Sequence, residues 1–119
     1  MPRDLDALLD VFHAASEAVE FVRGMTREQF LSDRKTQLAV LHLVTIMGEA
    51  ARRTQPAFRI QHGELPWPQM LGMRNRLVHE YDDVDPWLVW DVLQNDLPPL
   101  LRQVELLIPQ EEGDTGANR

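Results

Sequence analysis

The chain has 119 residues and no cysteine, and its 12 basic and 19 acidic side chains give a formal net charge of −7. This length suits a single domain with one hydrophobic core, and the absence of thiols excludes disulfides, thiol catalysis and zinc sites built on thiolates. Binding of nucleic acid over a broad basic surface depends on neutralising phosphates, so in this acidic chain any contact with RNA must be local. No apolar run reaches the length of a membrane span and the first residues lack the layout of a signal peptide, which predicts a cytoplasmic protein.

The first half of the chain carries the signals of two long helices with a short one between them. Apolar side chains at steps of three and four predict an amphipathic helix from Arg3 to about Gly24, where the glycine favours a stop. The sequence "TREQ", residues 26–29, has the form of a capping box and predicts a short helical turn. Either Ser32 or Asp33 can then cap a second long helix that runs to about Thr54.

The second long helix is apolar around nearly its whole circumference, as in the stretch "LAVLHLVTIMGEAA" at residues 38–51. A helix of this kind is buried on several sides. In a small chain such burial requires either a central place among the other helices or a partner subunit, and the sequence leaves both open. Gly48 and Ala50 would allow another helix to approach closely.

The second half of the chain predicts two more helices. Residues 55–65 carry proline and glycine without helical spacing, which predicts a loop. The sequence "PWPQMLGMRNRLVHEY", residues 66–81, predicts a third helix with a proline in its first turn. After a turn at residues 82–85, Pro86 begins a fourth helix, in which the proline pair 98–99 requires a kink or a restart.

The whole pattern predicts an all-α protein, an antiparallel four-helix bundle with a short extra helical turn. Strand signals and internal repeats are absent from the sequence. From Pro109 onward the apolar content is lost, so the predicted organisation is a helical domain at residues 1–108 followed by a flexible, disordered tail at residues 109–119.

The segment "MRNRLVHEYDD", residues 73–83, concentrates hydrogen-bonding side chains at the end of the third predicted helix. On a continuous helix Arg74 and Tyr81 would lie nearly on one line, and Asn75 and His79 on a second line beside it. The simplest explanation is structural: the histidine caps the helix and the arginine pairs with a carboxylate. Four such groups beside an apolar helix favour a functional patch instead.

These residue types suit metal-free cleavage of RNA. Histidine can move a proton near neutral pH, from the attacking 2′-hydroxyl or to the leaving 5′-oxygen, and arginine can hold the scissile phosphate. One histidine supplies half of the acid–base work, and two copies across a twofold axis would supply both halves. The four histidines lack metal-ligand spacing, and phosphate-loop, dinucleotide and serine-hydrolase motifs are absent, so no metal or cofactor is expected.

The segment also carries a resemblance to a known family. "RNRLVHEY" matches the pattern R-x4-H-x-Y, and the flanking sequences "GEAARR", "PW", "YDDVD" and "VWDVLQNDLPPLLRQ" extend the likeness over residues 4–108. In these features the chain is similar to the HepT toxin family within the HEPN superfamily of ribonucleases. The resemblance implies a helical homodimer with a ribonuclease site in the cleft between subunits, with Arg74 and His79 as the catalytic pair and Asn75 as a supporting residue.

The resemblance further implies a partner, a minimal nucleotidyltransferase (MNT) antitoxin that uses ATP to transfer AMP onto the motif tyrosine, here Tyr81. Such a modification would add bulk and negative charge beside the arginine. Two alternatives stay open from the sequence. One is a catalytically silent helical module that docks and regulates a nucleotidyltransferase, and the other is a homodimeric scaffold in which the motif is a buried polar network.

Two further groups of residues receive predictions. The three tryptophans, Trp67, Trp87 and Trp90, are predicted to be core or interface side chains rather than base-stacking platforms. Arg76, on the other side of the third helix, is expected to contact either RNA backbone or solvent.

Overall fold

The computed structural model describes residues 2–78 and 84–109, and in this part of the chain the secondary structure is helical apart from one isolated bridge between Val78 and Val84. The helices are α1 (Pro2–Phe21), α2 (Arg27–Leu31), α3 (Arg34–Arg52), α4 (Pro56–Gln61), α5 (Trp67–Leu77), α6 (Pro86–Asp91) and α7 (Leu97–Leu107), with a π-helical turn at Val92–Asp96 between α6 and α7. The predicted all-α class is confirmed. The predicted disordered tail lies, from residue 110, outside the described residues.

Local signals at the start of the chain act as the sequence predicts. The turn after α1 includes Gly24 at φ 83°, a backbone conformation that glycine adopts without steric cost. The capping box of α2 is complete, since the Gln29 amide donates to the Thr26 hydroxyl at 3.1 Å and the Thr26 amide donates to the Gln29 side chain at 2.9 Å.

Of the two candidate caps for α3, Asp33 is the one used. Its carboxylate accepts from the Thr36 amide at 3.0 Å and from the Thr36 hydroxyl at 2.8 Å. These hydrogen bonds, the backbone one first, hold the pKa of Asp33 below its ordinary value. The Ser32 hydroxyl instead donates to carbonyl groups at the end of α2.

Helix α3 lies in the middle of the bundle, between α1 and α5. A Cβ atom at Gly48 would come within 3.2 Å of the Met70 carbonyl oxygen, so the two backbones approach closely at this glycine. The predicted close approach is confirmed, and the helix that makes it is α5 of the same chain. Central placement therefore explains most of the burial of α3, although Leu38 and Ile46 remain 41% and 37% exposed.

The prediction of a loop at residues 55–65 is wrong, because a short helix, α4, occupies part of that range. Pro56 stands in its first turn, where the missing N–H costs nothing. The buried Phe58 anchors the helix, and the Gln55 amide at its start donates to the buried Asp4 carboxylate at 2.9 Å. These contacts come from distant parts of the chain, so the local spacing of apolar residues does not show them.

A π-helical turn precedes the two prolines of the last long helical segment. In the π-helical turn, the Leu97 amide donates to the Val92 carbonyl oxygen, five residues back. Pro98 and Pro99 have no N–H to donate, and in a regular α-helix their rings would clash with the carbonyl groups one turn earlier. A π-helical turn changes that register, and α7 then starts at Leu97 with both prolines in its first turn. The predicted restart at the prolines corresponds to this change of helix type.

The long helices form the four-helix bundle, and α5 runs antiparallel to α3. Helix α6, which follows α5, packs on α2, which precedes α3, and the rings of Phe30 and Trp90 meet there with centroids 5.4 Å apart. The end of α5 therefore lies at the same end of the bundle as the start of α3. The described part of the motif segment, residues 73–78, lies at this end.

Candidate functional site

The third long helix ends at Leu77, four residues earlier than the sequence predicts. Val78 is extended (φ −122°, ψ 132°) and forms an antiparallel bridge with Val84. The Asp85 amide donates to the Leu77 carbonyl oxygen at 2.9 Å, which satisfies the helix end. This return of the chain buries Val84, to 5% exposure, and that burial competes with continuation of the helix.

The early end of α5 changes the geometry expected for the motif. The prediction that His79 and Tyr81 share two helical lines with Asn75 and Arg74 assumed a helix that continues through residue 81, whereas α5 ends at Leu77. His79 and Tyr81 lie outside the described residues. The described residues on either side of this segment, Val78 and Val84, are paired with each other.

The core face of α5 fixes the orientation of the helix. Met70, Met73 and Leu77, spaced by three and four residues, are all buried. At the start of the helix Trp67 is also buried, and its indole N–H donates to the His62 carbonyl oxygen at 2.9 Å. A helix held at both ends in this way gives the residues between them fixed directions.

Two of the predicted site residues stand in the last turn of α5. Arg74 is partly buried, at the edge of the core face, and Asn75 is exposed beside it. The C-terminal end of a helix carries partial negative charge, which favours cations in its last turn. The described part of the motif therefore places a guanidinium group directly before the fixed end of α5.

Arg76 has a carboxylate neighbour that the sequence does not predict. Its guanidinium Nη2 lies 3.2 Å from the Asp96 carboxylate of the π-helical turn, and the Arg76 side chain is 44% exposed to solvent. A cavity of about 400 Å³ opens between α5 and the π-helical turn on this side. Its lining includes Arg76, Asn95 and Asp96 but not Arg74.

The tryptophans divide into two groups. The prediction of core positions holds for Trp67, which is buried, and for Trp90, which is partly buried against Phe30. Trp87 is 58% exposed, and the guanidinium carbon of Arg27 lies 5.2 Å from its ring centroid. Sequence reasoning does not pair these two side chains, because they are far apart in the chain and meet only when α6 packs on α2.

Within the described ranges, no group of three or more His, Cys, Asp or Glu side chains is arranged to hold a metal ion. Among the described helices, none has the length and apolar character needed to cross a membrane.

A helical bundle with an arginine at the fixed end of an interior-packed helix, followed in the sequence by histidine and tyrosine, has the features of a HEPN-type ribonuclease domain. Residues 11–107 match the family described as "Ribonuclease HepT-like", and the chain belongs to this family. The family resemblance and the enzyme class predicted from the sequence, an endoribonuclease, are therefore confirmed.

Relatives along nearly the full length agree with this membership. A protein of Methanocaldococcus jannaschii is 32% identical over 106 residues, which cover 88% of this chain and 97% of the relative. A Thermococcus cleftensis protein is 38% identical over 102 residues, which cover 86% and 93%. Their names give RNase and ribonuclease HepT, respectively, as predicted activities. No solved structure matches the chain.

Proposed function

We propose that the chain is the toxin of a HEPN/MNT toxin–antitoxin pair and acts as a metal-independent endoribonuclease, with Arg74 and His79 at a cleft between two subunits. The observation that carries this proposal is the position of Arg74. It stands in the last turn of α5, whose core face is buried and whose end is fixed by the Asp85–Leu77 hydrogen bond. Because the chain belongs to a ribonuclease family, the phosphate that Arg74 would bind is a phosphodiester group of RNA.

The proposed reaction is an internal transfer at one phosphodiester. The 2′-oxygen forms a bond to phosphorus while the bond from phosphorus to the 5′-oxygen breaks. His79 removes the proton of the 2′-hydroxyl, and the partner's His79 protonates the leaving 5′-oxygen. Arg74 hydrogen-bonds the phosphate oxygens, whose negative charge increases in the transition state. Asn75 supports the phosphate contact from the next position on α5.

A second subunit completes the site in this proposal. The 400 Å³ cavity lies on the Arg76 side of α5, and we propose that a second chain forms the cleft at Arg74. Leu38 and Ile46 of the neighbouring α3 are exposed apolar side chains that a second subunit would cover. The twofold arrangement also supplies the second histidine that the acid–base chemistry needs.

The proposed control acts on Tyr81. The nucleotidyltransferase antitoxin would join the tyrosine oxygen to the α-phosphate of ATP, with pyrophosphate as the leaving group. The added phosphate would place negative charge and bulk close to Arg74 in the sequence motif, and RNA would be repelled. The net charge of −7 supports a partner with a basic docking surface.

An assay of RNA cleavage in the presence of a metal chelator tests the proposed metal-independent ribonuclease activity. The native chain is compared with Arg74→Ala, His79→Ala and the matched control Arg76→Ala, each checked for helix content and dimer formation. We expect cleavage by the native chain and the control and its loss in the other two. A folded native dimer that cleaves no RNA but binds the nucleotidyltransferase would favour the silent binding module. Loss of the dimer in His79→Ala would favour the scaffold.

Expression in cells tests the toxin role. The native chain alone should arrest growth, and growth should resume when the nucleotidyltransferase is produced with it. Mass spectrometry should then find AMP on the peptide that contains Tyr81. The Tyr81→Phe variant should carry no AMP and should remain toxic beside the antitoxin; rescue of this variant would show that modification is not the means of control.

A further inference from the structure

Trp87 has the highest exposure of the tryptophan and phenylalanine side chains in the described residues, and Phe21 follows at 45%. Trp87 stands in the first turn of α6 and is 58% exposed. Its backbone is nevertheless well held, because the Asp85 carboxylate accepts from the amides of Trp87 and Leu88 at 3.1 and 3.3 Å. A large apolar ring is thus exposed to solvent from a backbone position that two hydrogen bonds hold in place.

The neighbour of the ring is a cation. The guanidinium carbon of Arg27 lies 5.2 Å from the ring centroid, within the range of a cation–π contact. The Arg27 side chain is itself about half exposed, with Glu28 at 3.8 Å. An aromatic face beside a forked cation is the combination that binds a nucleotide, because the base stacks on the ring and the guanidinium group pairs with phosphate.

The pair lies close to the proposed cleavage site. The Asp85 amide is bonded to the Leu77 carbonyl oxygen at the end of α5, Trp87 follows two residues later, and Arg74 stands one turn earlier on α5. Chain geometry then limits the backbone separation of Arg74 and Trp87 to about 20 Å. A single strand of a few nucleotides can reach from one to the other.

We propose that Trp87 and Arg27 form a stacking platform that binds an unpaired base of the RNA substrate a few nucleotides from the scissile phosphate. The inference rests on the proposed function and adds single-stranded RNA as the substrate class. A second copy of the chain is a less suitable occupant, because an apolar interface would have to remove Arg27 from water. RNA keeps that cation paired with phosphate.

Intrinsic fluorescence tests the platform separately from catalysis. Trp67 is buried and Trp90 is partly buried, so Trp87 is the indole that a bound base should quench. The probe is a 2′-O-methyl oligonucleotide, which lacks the attacking hydroxyl and stays intact. We expect quenching in the native dimer, little change in Trp87→Ala and intact binding in Ile60→Ala, a control at a residue that is 81% exposed on α4.

Kinetics on a short single-stranded RNA provide the second readout. Trp87→Ala should raise KM about tenfold with kcat nearly unchanged, and Trp87→Phe should recover most of the loss, because base–aromatic stacking tolerates a change of ring. Arg27→Ala should raise KM less and should weaken the salt dependence of binding.

The outcomes separate the platform from the ribonuclease reaction. Quenching of Trp87 by the oligonucleotide with no cleavage by the native chain would support the platform and reject the catalytic proposal. Cleavage with an unchanged KM in Trp87→Ala would overturn the platform and leave the ribonuclease intact. Dissociation of the dimer in Trp87→Ala would also overturn it, because the ring would then belong to an interface between copies.

Discussion

Arg74 and Arg76 stand two residues apart on α5, about 200° apart around the helix, and they face different parts of the molecule. On the Arg76 side, the guanidinium group meets the Asp96 carboxylate and a cavity floored by buried side chains. Arg74 is partly buried in the last turn of α5, and after the helix end Val78 pairs with Val84. Arg76 thus forms a salt bridge with Asp96, and Arg74 is the arginine that we propose as the phosphate contact.

The difference comes from the neighbours rather than from the arginines. The π-helical turn brings Asp96 to α5, and it exists because two prolines follow it. Asp85 reaches the end of α5 because burial of Val84 brings the chain back. An arginine in a helix is therefore informative about function only when the elements packed around it are known.

The largest expected effect is a difference between Arg74→Ala and Arg76→Ala in the rate of RNA cleavage. Arg74→Ala should lower kcat for RNA cleavage about 10²- to 10³-fold, the usual loss when one donor to a developing oxyanion is removed. Arg76→Ala should change it by less than about threefold, because that side chain is neutralised by Asp96. Single-turnover cleavage at saturating RNA measures both. Equal losses in the two variants would remove the distinction between the two sides.

The next largest effect is expected on the stability of the fold, through the buried face of α5. Leu77→Ala should lower the free energy of unfolding by about 2–5 kcal/mol, because it empties a fully buried position in the last turn of α5. Urea denaturation provides the measurement, with Leu106→Ala as the control, since Leu106 is 85% exposed. A cost below that of the control would mean that the end of α5 is not held by its packing.

A smaller effect is expected at the contact between α3 and α5. Gly48→Val should destabilise the fold by about 1–3 kcal/mol, because its side chain would press on the Met70 carbonyl group. Gly72→Val is the matched control, since a Cβ at Gly72 meets nothing within 4 Å. Thermal unfolding of both variants compares them, and equal melting temperatures would contradict the close approach of the two helices.

The smallest expected effect concerns the salt bridge between Arg76 and Asp96. A double-mutant cycle with Arg76→Ala and Asp96→Ala should give a coupling energy of about 0.2–1 kcal/mol, the range of exposed ion pairs. The coupling should decrease in 0.5 M salt, because both side chains are about 40% exposed. A coupling near zero at low salt would show that Arg76 is free to act elsewhere.

Predictions from the sequence succeeded where the signal is local. The capping box at Thr26 and the start of α6 at Pro86 depend on residues a few positions apart, and the structure has both. The cap of α3 is one of the two predicted candidates, Asp33. Predictions failed where distant contacts compete with local preference. The helix expected through Tyr81 ends at Leu77, because a hydrogen bond from Asp85 and the burial of Val84 favour a return of the chain.

The candidate site shows the same division. The residue pattern R-x4-H-x-Y and its flanks were sufficient to predict the ribonuclease family, because a family is recognised from residue identities in order. The roles of neighbouring residues were not predictable in this way. The partner of Arg76 is twenty residues away in the chain, and Arg27 meets Trp87 across two helices.

The sequence by itself determined the helical class, most helix starts and the residues of the motif, because helix periodicity, caps and motif spacing are properties of short segments. Only the tertiary structure decided where α5 ends, that a π-helical turn precedes the two prolines and that Arg76 is paired with Asp96. Each of these depends on burial and hydrogen bonds between segments far apart in the chain, and such contacts override local preference when they satisfy more groups.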